Sequence, residues 1–173
     1  MANTYTLISS NTLTSSAATV TFSSIPATYT DLVLRLSARK SAGGDTFKVQ
    51  FNSDTATNYS NITVIGNGVT ASSTRVNSQV YVRAYGANES TFTANSFGSS
   101  DVYIPSYLVS QNKPIANFGV TENNSAAADA SFVNASAGLW RNTAAITSIV
   151  ITDPGASTFA IGSSFYLYGI KNS

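Results

Sequence analysis

The sequence predicts an all-β fold, an antiparallel β-sandwich of jelly-roll-like form in a single domain, and three observations carry that expectation. Apolar and polar residues alternate with period two along most of the chain, the pattern of strands with one buried and one wet face. No window of eleven or more residues holds the apolar stripe of an amphipathic helix. Turn-forming clusters interrupt the alternation at short intervals, and the ten or eleven short strands they separate are the raw material of a sandwich or barrel. At 173 residues the chain can remove about 70% of its unfolded surface from water as one unit.

Each element has its own local reason. Residues 3–16 offer only Tyr5, Leu7, Ile8 and Leu13 as apolar material, so residues 1–15 are expected to form an N-terminal arm that orders against a neighbour, or a first edge strand over Tyr5–Ile8. Residues 16–173 then make the sandwich. Ala18–Phe22 is the next strand, and Ile25-Pro26 closes it because proline cannot donate to a ladder. Asp31–Ala38 is the clearest: Leu32, Leu34, Leu36 and Ala38 point one way, Val33, Arg35 and Ser37 the other. Ser41-Ala42-Gly43-Gly44-Asp45 has the turn chemistry of a hairpin and leads to Thr46–Asn52, with Phe47, Val49 and Phe51 inward.

Ser60–Ile65 follows, then the Asn67-Gly68 turn and a long strand over Val76–Tyr85. Gly86-Ala87-Asn88 breaks the pattern, and Pro105 within Val102–Leu108 makes that segment an edge strand or no strand. Ile115–Thr121 ends at Asn123-Asn124. Ser125–Ala130 is Ala-rich but too short for a stable helix. Ala130–Val133, Ile146–Thr152 and Ser164–Ile170 complete the set, with Asp153-Pro154-Gly155 as a strong turn before the last.

Composition narrows the chemistry. Histidine and cysteine are absent, which removes the common metal ligands, the usual general base and the thiol nucleophile. Glu89 and Glu122 are the only glutamates, and their placement gives no carboxylate pair of the kind glycoside hydrolysis needs. No catalytic residue, cofactor site or metal site is expected. The Phe51–Tyr59 loop is rich in side-chain oxygens, but it holds a single carboxylate, Asp54, and reads as a turn in preference to a calcium site. Nine Lys/Arg against eight Asp/Glu, with no block of like charge, argue against nucleic acid or a membrane as partner. Charged residues make up 10%, against about 25% in an average soluble domain. With 27 Ser, 21 Thr and 16 Asn, the expected surface is neutral and polar, and the five Asn-x-Ser/Thr triplets are what that composition yields by chance. The N-terminus lacks the basic and apolar segments of a secretory signal, so arrival outside a cell is expected by another route.

What remains is surface. Tyr81, Arg83 and Tyr85 share one face of their strand, opposite Val80, Val82 and Ala84; Tyr166 and Tyr168 oppose Phe165 and Leu167. Strands with apolar character on both faces are central in a sheet or lie between subunits. Trp140-Arg141 precedes a turn and pairs two residue types that anchor interfaces. These seven residues form the candidate interaction surface.

Three segments, Phe22–Leu34 (Phe-Ser-Ser-Ile-Pro-Ala-Thr-Tyr-Thr-Asp-Leu-Val-Leu), Phe51–Tyr59 and Phe159–Lys171 (Phe-Ala-Ile-Gly-Ser-Ser-Phe-Tyr-Leu-Tyr-Gly-Ile-Lys), resemble small virion structural proteins of tailed bacteriophages, of the head-decoration, cement or fibre type. The resemblance spans most of the chain. It implies a non-enzymatic virion component, assembled in the host cytoplasm and released by lysis. A homo-oligomer, expected as a trimer, would seat on the major capsid protein or another virion protein; the alternative is a head- or tail-fibre module binding host surface glycans. Gly169 is expected to leave room for close backbone approach in the last strand.

Overall fold

The computed structural model describes residues 4–124 and 131–171. Among the described residues the chain forms thirteen strands: β1 (Tyr5–Thr12), β2 (Thr19–Phe22), β3 (Asp31–Arg39), β4 (Thr46–Phe51), β5 (Tyr59–Gly66), β6 (Ala71–Gln79), β7 (Val82–Tyr85), β8 (Ala87–Asn88), β9 (Gly98–Ile104), β10 (Lys113–Thr121), β11 (Phe132–Trp140), β12 (Ile149–Thr152) and β13 (Ser164–Ile170). They build two sheets. The larger runs β1-β13-β3-β9-β10-β11-β5-β6, with β8 pairing parallel to β3; the smaller runs β2-β12-β4-β7.

The sandwich is a jelly roll with an extension. Taken in chain order, β1, β2, β3, β4, β7, β9, β12 and β13 give one sheet in the order first, eighth, third, sixth and the other in the order second, seventh, fourth, fifth. That interleaving is the jelly-roll order of two Greek keys. Two antiparallel pairs, β5–β6 and β10–β11, prolong the larger sheet beyond β9. Between the sheets, Leu32, Leu34 and Leu36 of β3 and Phe165 and Leu167 of β13 meet Phe47, Val49 and Phe51 of β4 and Ile149 and Ile151 of β12, all buried in one cluster. Phe159 joins them edge-on to Phe165, ring centroids 5.1 Å apart. Each such side chain contributes roughly 1.5–3 kcal/mol by leaving water.

The strands follow the alternation closely, but several boundaries and partners differ from expectation. Ser41–Asp45 is not a hairpin: β3 pairs with β13 and β9, whereas β4 pairs with β12 and β7, so the turn carries the chain from one sheet to the other. Lys40 accounts for the crossing. Its ammonium, buried with its partner, forms an ion pair with Asp153 beyond β12 and donates to Thr46 O at 2.7 Å. Asp153 also accepts from the N–H groups of Gly155 at 2.6 Å and Ser157 at 3.1 Å, which fixes the predicted Asp153-Pro154-Gly155 turn. Val76–Tyr85 is two strands, because the chain leaves the large sheet past Ser78, at φ 51°, and enters the small sheet as β7. β9 ends at Ile104, directly before Pro105, and lies inside the sheet between β3 and β10; ending there costs the ladder no N–H, so the expected edge position is corrected.

Tyr5–Ile8 extends to Thr12 as an edge strand on β13. Of the segment expected over Ala130–Val133, Phe132 and Val133 begin β11, which runs on to Trp140, while Ser125–Ala130 lies outside the described residues. Gly169 does leave room, but for a side chain: a Cβ there would fall 2.2 Å from Cγ of Tyr29.

Candidate interaction surface

The register of the large sheet places its outward side chains in rows. One row reads Tyr168, Val33, Tyr103, Ala116, Ala137, Ile62 and Arg75 across β13, β3, β9, β10, β11, β5 and β6. The next reads Tyr166, Arg35, Asp101, Phe118, Ala135, Val64 and Ser73, and a third places Val120 beside Val133. Toward β6 the face is apolar. Ile62, Val64, Tyr103, Phe118 and Val133 keep 48%, 55%, 38%, 54% and 54% of their surface exposed. Alanines 116, 135 and 137 lie between these larger groups and form the floor of a groove of about 480 Å³.

The inward side of the same strands is polar. Asn61, Thr63, Asn117, Asn134 and Ser136 are buried, so β10, β11 and β5 carry an alternation inverted relative to the jelly-roll strands. β7, an edge strand of the small sheet, packs against this inner side. Unpaired backbone groups in a dry place need partners. Asn117 supplies one, accepting from Tyr85 N at 2.9 Å while its amide donates to Ser100 Oγ at 2.7 Å and Asp101 O at 3.1 Å. Thr63 Oγ1 and Ser136 Oγ bond at 2.8 Å, and Asn134 donates to Asp45 at 2.7 Å. The β7 edge therefore accounts for Asn117, while Thr63 and Ser136 satisfy each other and Asn134 reaches Asp45; none of this explains apolar residues outside.

No protein-family model, no curated protein and no solved structure matches this chain.

Toward β1 the outer face changes character. Tyr166 and Tyr168 stand side by side, 6.4 Å between ring centroids, and Tyr5 meets Tyr168 edge-on at 6.3 Å. Arg35 lies over the Tyr5 ring at 5.7 Å and pairs with Asp101 at 3.1 Å, both side chains about half exposed. Exposed contacts of these kinds contribute about 0.5–1 kcal/mol each and chiefly orient the groups. Tyr166, Tyr168, Arg35 and Asp101 line a second groove together with Ser37 and Ser99.

The seven residues expected at a surface divide. Tyr166 and Tyr168 occupy the outer face just described. Tyr81 and Arg83 are half-buried at β7 on the small sheet, where Lys48 sits 4.9 Å from the Tyr81 ring. Tyr85 is buried, held where β7 crosses β10, and belongs to the interior. Trp140 is corrected more sharply: it is fully buried, stacked on Tyr59 at 6.2 Å and packed on Phe51 at 5.4 Å, with Nε1 donating to Asp54 at 2.7 Å. Arg141 is exposed beside it, its guanidinium donating to Thr57 O at 2.6 Å. Trp and Arg here lock the 51–59 loop and do not act together as an anchor. Asp54, in that loop, also accepts from Ala56 N and Asn58 Nδ2; burial resists its ionisation, but the hydrogen bonds from Asn58, Trp140 and Ala56 outweigh it and hold the carboxyl below its usual range. Phe118, Tyr103, Ile62, Val64 and Val133 were not among the seven. The signal for them was Asn117, Gly119, Asn134 and Ser136 filling alternate positions where a core face would carry Leu or Val.

Proposed function

We propose that this chain is a non-enzymatic structural subunit of a tailed-phage particle, a capsid decoration or cement protein, which assembles in the host cytoplasm as a homo-oligomer and braces the shell through the outer face of its large sheet. The observation that carries this reading is the apolar half of that face. Contiguous exposed apolar surface on a folded domain marks association, and here it sits on a rigid slab closed by β-ladders. The resemblance of Phe22–Leu34, Phe51–Tyr59 and Phe159–Lys171 to virion structural proteins supplies the class of neighbour. Quantitative mass spectrometry of purified particles tests it. Copies comparable in number to the major capsid protein are expected; a few copies per particle rule out shell-wide decoration, and none at all rules out the reading.

A second reading, a fibre module binding host glycans, draws support from the groove of about 420 Å³ bearing Tyr166, Tyr168, Arg35 and Asp101. Aromatic faces stack on sugar rings, and an Arg–Asp pair bonds their hydroxyls. Trp140, being buried, is no part of it. Binding on a glycan array that Tyr166→Ala and Tyr168→Ala abolish would favour this reading; an array without signal would end it.

A further inference from the structure

We infer that the apolar half of the large-sheet face is the seat of a second copy of this chain, packed face to face about a two-fold axis that runs along the strands between β10 and β11. The inference rests on reading the chain as an assembly protein and names the first partner in that assembly. Three observations lead to it.

The face is self-complementary. Phe118 and Ala135 are register partners on β10 and β11. A two-fold axis between them places each Phe118 over the Ala135 of the other copy, a ring over a hollow, twice. The same operation sets Tyr103 over Ile62, because β9 and β5 lie equally far from the axis. An isologous contact needs this reciprocity, with each residue meeting its counterpart's neighbour in both directions.

The area is sufficient. The operation overlays β3, β9, β10, β11, β5 and β6 on themselves in reverse order. Six strands at about 4.8 Å spacing and about seven residues at 3.3 Å give about 660 Å² in projection. The accessible area of a corrugated face exceeds its projection, which brings it close to the roughly 800 Å² per partner of a stable complex.

The charges allow it. Among the described residues Arg75, on β6, has no carboxylate within 4 Å. The axis lays β6 over β3 of the copy, so Arg75 falls over Val33, one row away from the copy's Arg35–Asp101 pair. Asp101 already offsets the copy's Arg35, and two copies of a chain with net charge +1 do not repel strongly. β1 and β13, with Tyr5, Tyr166 and Tyr168, stay outside the overlay and remain open to another virion component.

Sedimentation velocity on the full chain at about 50 µM, above the micromolar upper limit expected for such an area, tests the pairing. Wild type is expected at twice the 18.1 kDa of one chain. Phe118→Asp, and independently Ala135→Arg, which fills the hollow, are each expected to weaken association at least about 30-fold, the loss typical of a central interface residue. Both positions are exposed in the single chain, so far-UV circular dichroism should match wild type. Ile161→Asp, an exposed apolar position in the turn before β13, should leave the dimer intact. A wild-type protein of single-chain mass, a three-chain species, or a dimer indifferent to both variants overturns the inference. Particle copy number separates the two readings: a monomer abundant on particles sinks the pairing alone, and a dimer absent from particles sinks the virion assignment alone.

Discussion

Asp45 stands at the crossing between the sheets, where burial pushes its carboxyl up to about 6 despite the amide of Asn134 and the ammonium of Lys40; Glu89 adds to the rise. A carboxyl raised in the folded state above its ordinary value near 4 favours folding only while protonated. Its contribution is complete below about pH 4 and disappears as pH climbs through about 6. Asp54 and Asp153, both held below their usual range, act in the opposite sense: their contribution is present above about pH 4 and is lost on further acidification. The two windows do not overlap, so a substitution can isolate Asp45. Asn at this position keeps the shape and cannot ionise. Urea unfolding of Asp45→Asn and wild type at pH 4, 5, 6 and 7 should show the variant gaining on wild type across that range and the gap levelling off above about pH 7. A gap independent of pH would mean that Asp45 ionises freely in the folded protein.

Strands meet most closely where β7 passes over β10. A Cβ on Gly119 would lie 2.1 Å from Tyr85 O and 2.9 Å from Gly86 N, backbone atoms that cannot step aside without moving the strand. Gly119→Ala should therefore cost about 3 kcal/mol or more, the upper end for overpacking, whereas Gly44→Ala, with open space around it, should be neutral or slightly stabilising. Equal denaturation midpoints for the two variants would contradict the close crossing. Element by element, much of this was legible: β3 lies within one residue of Asp31–Ala38, and β13 matches Ser164–Ile170, because their alternation has high contrast and one buried face. The partner of each strand was not legible. Gly43 and Gly44 permit a hairpin and a sheet crossing equally, and what decides between them is Lys40 meeting Asp153, 113 residues away. β11 was largely hidden for another reason. Its Asn134, Ser136 and Gly138 face the β7 side and its alanines face out, so burial and hydropathy run against each other along it. For the same reason the apolar face could not be read by looking for a core pattern, and Trp140, at the end of that strand, passed for an exposed anchor.

The whole molecule couples its jelly roll to its extension through that polar seam, and the coupling predicts how it unfolds. β7 belongs to the small sheet, yet the backbone N–H of Tyr85 is satisfied by Asn117 of the extension. If the seam holds the two parts together, neither can melt first. Trp140, the only tryptophan, sits at the junction, carried by β11 and packed on Phe51 of the small sheet and Tyr59 of β5. Its fluorescence therefore reports the joint, while far-UV circular dichroism reports all the strands. In wild type the two signals should change together on heating, as a cooperative single domain requires. Asn117→Leu leaves Tyr85 N without its partner, and Ser100 Oγ loses the donor it bonds to; at about 1–3 kcal/mol for each buried group left unpaired, and about 2–4 °C per kcal/mol for a chain of this size, the midpoint should fall by roughly 4–24 °C. Both signals should still move as one. A tryptophan transition that separates from the dichroism, in either protein, would mean that the extension opens independently of the jelly roll and that the seam is a contact and not a joint.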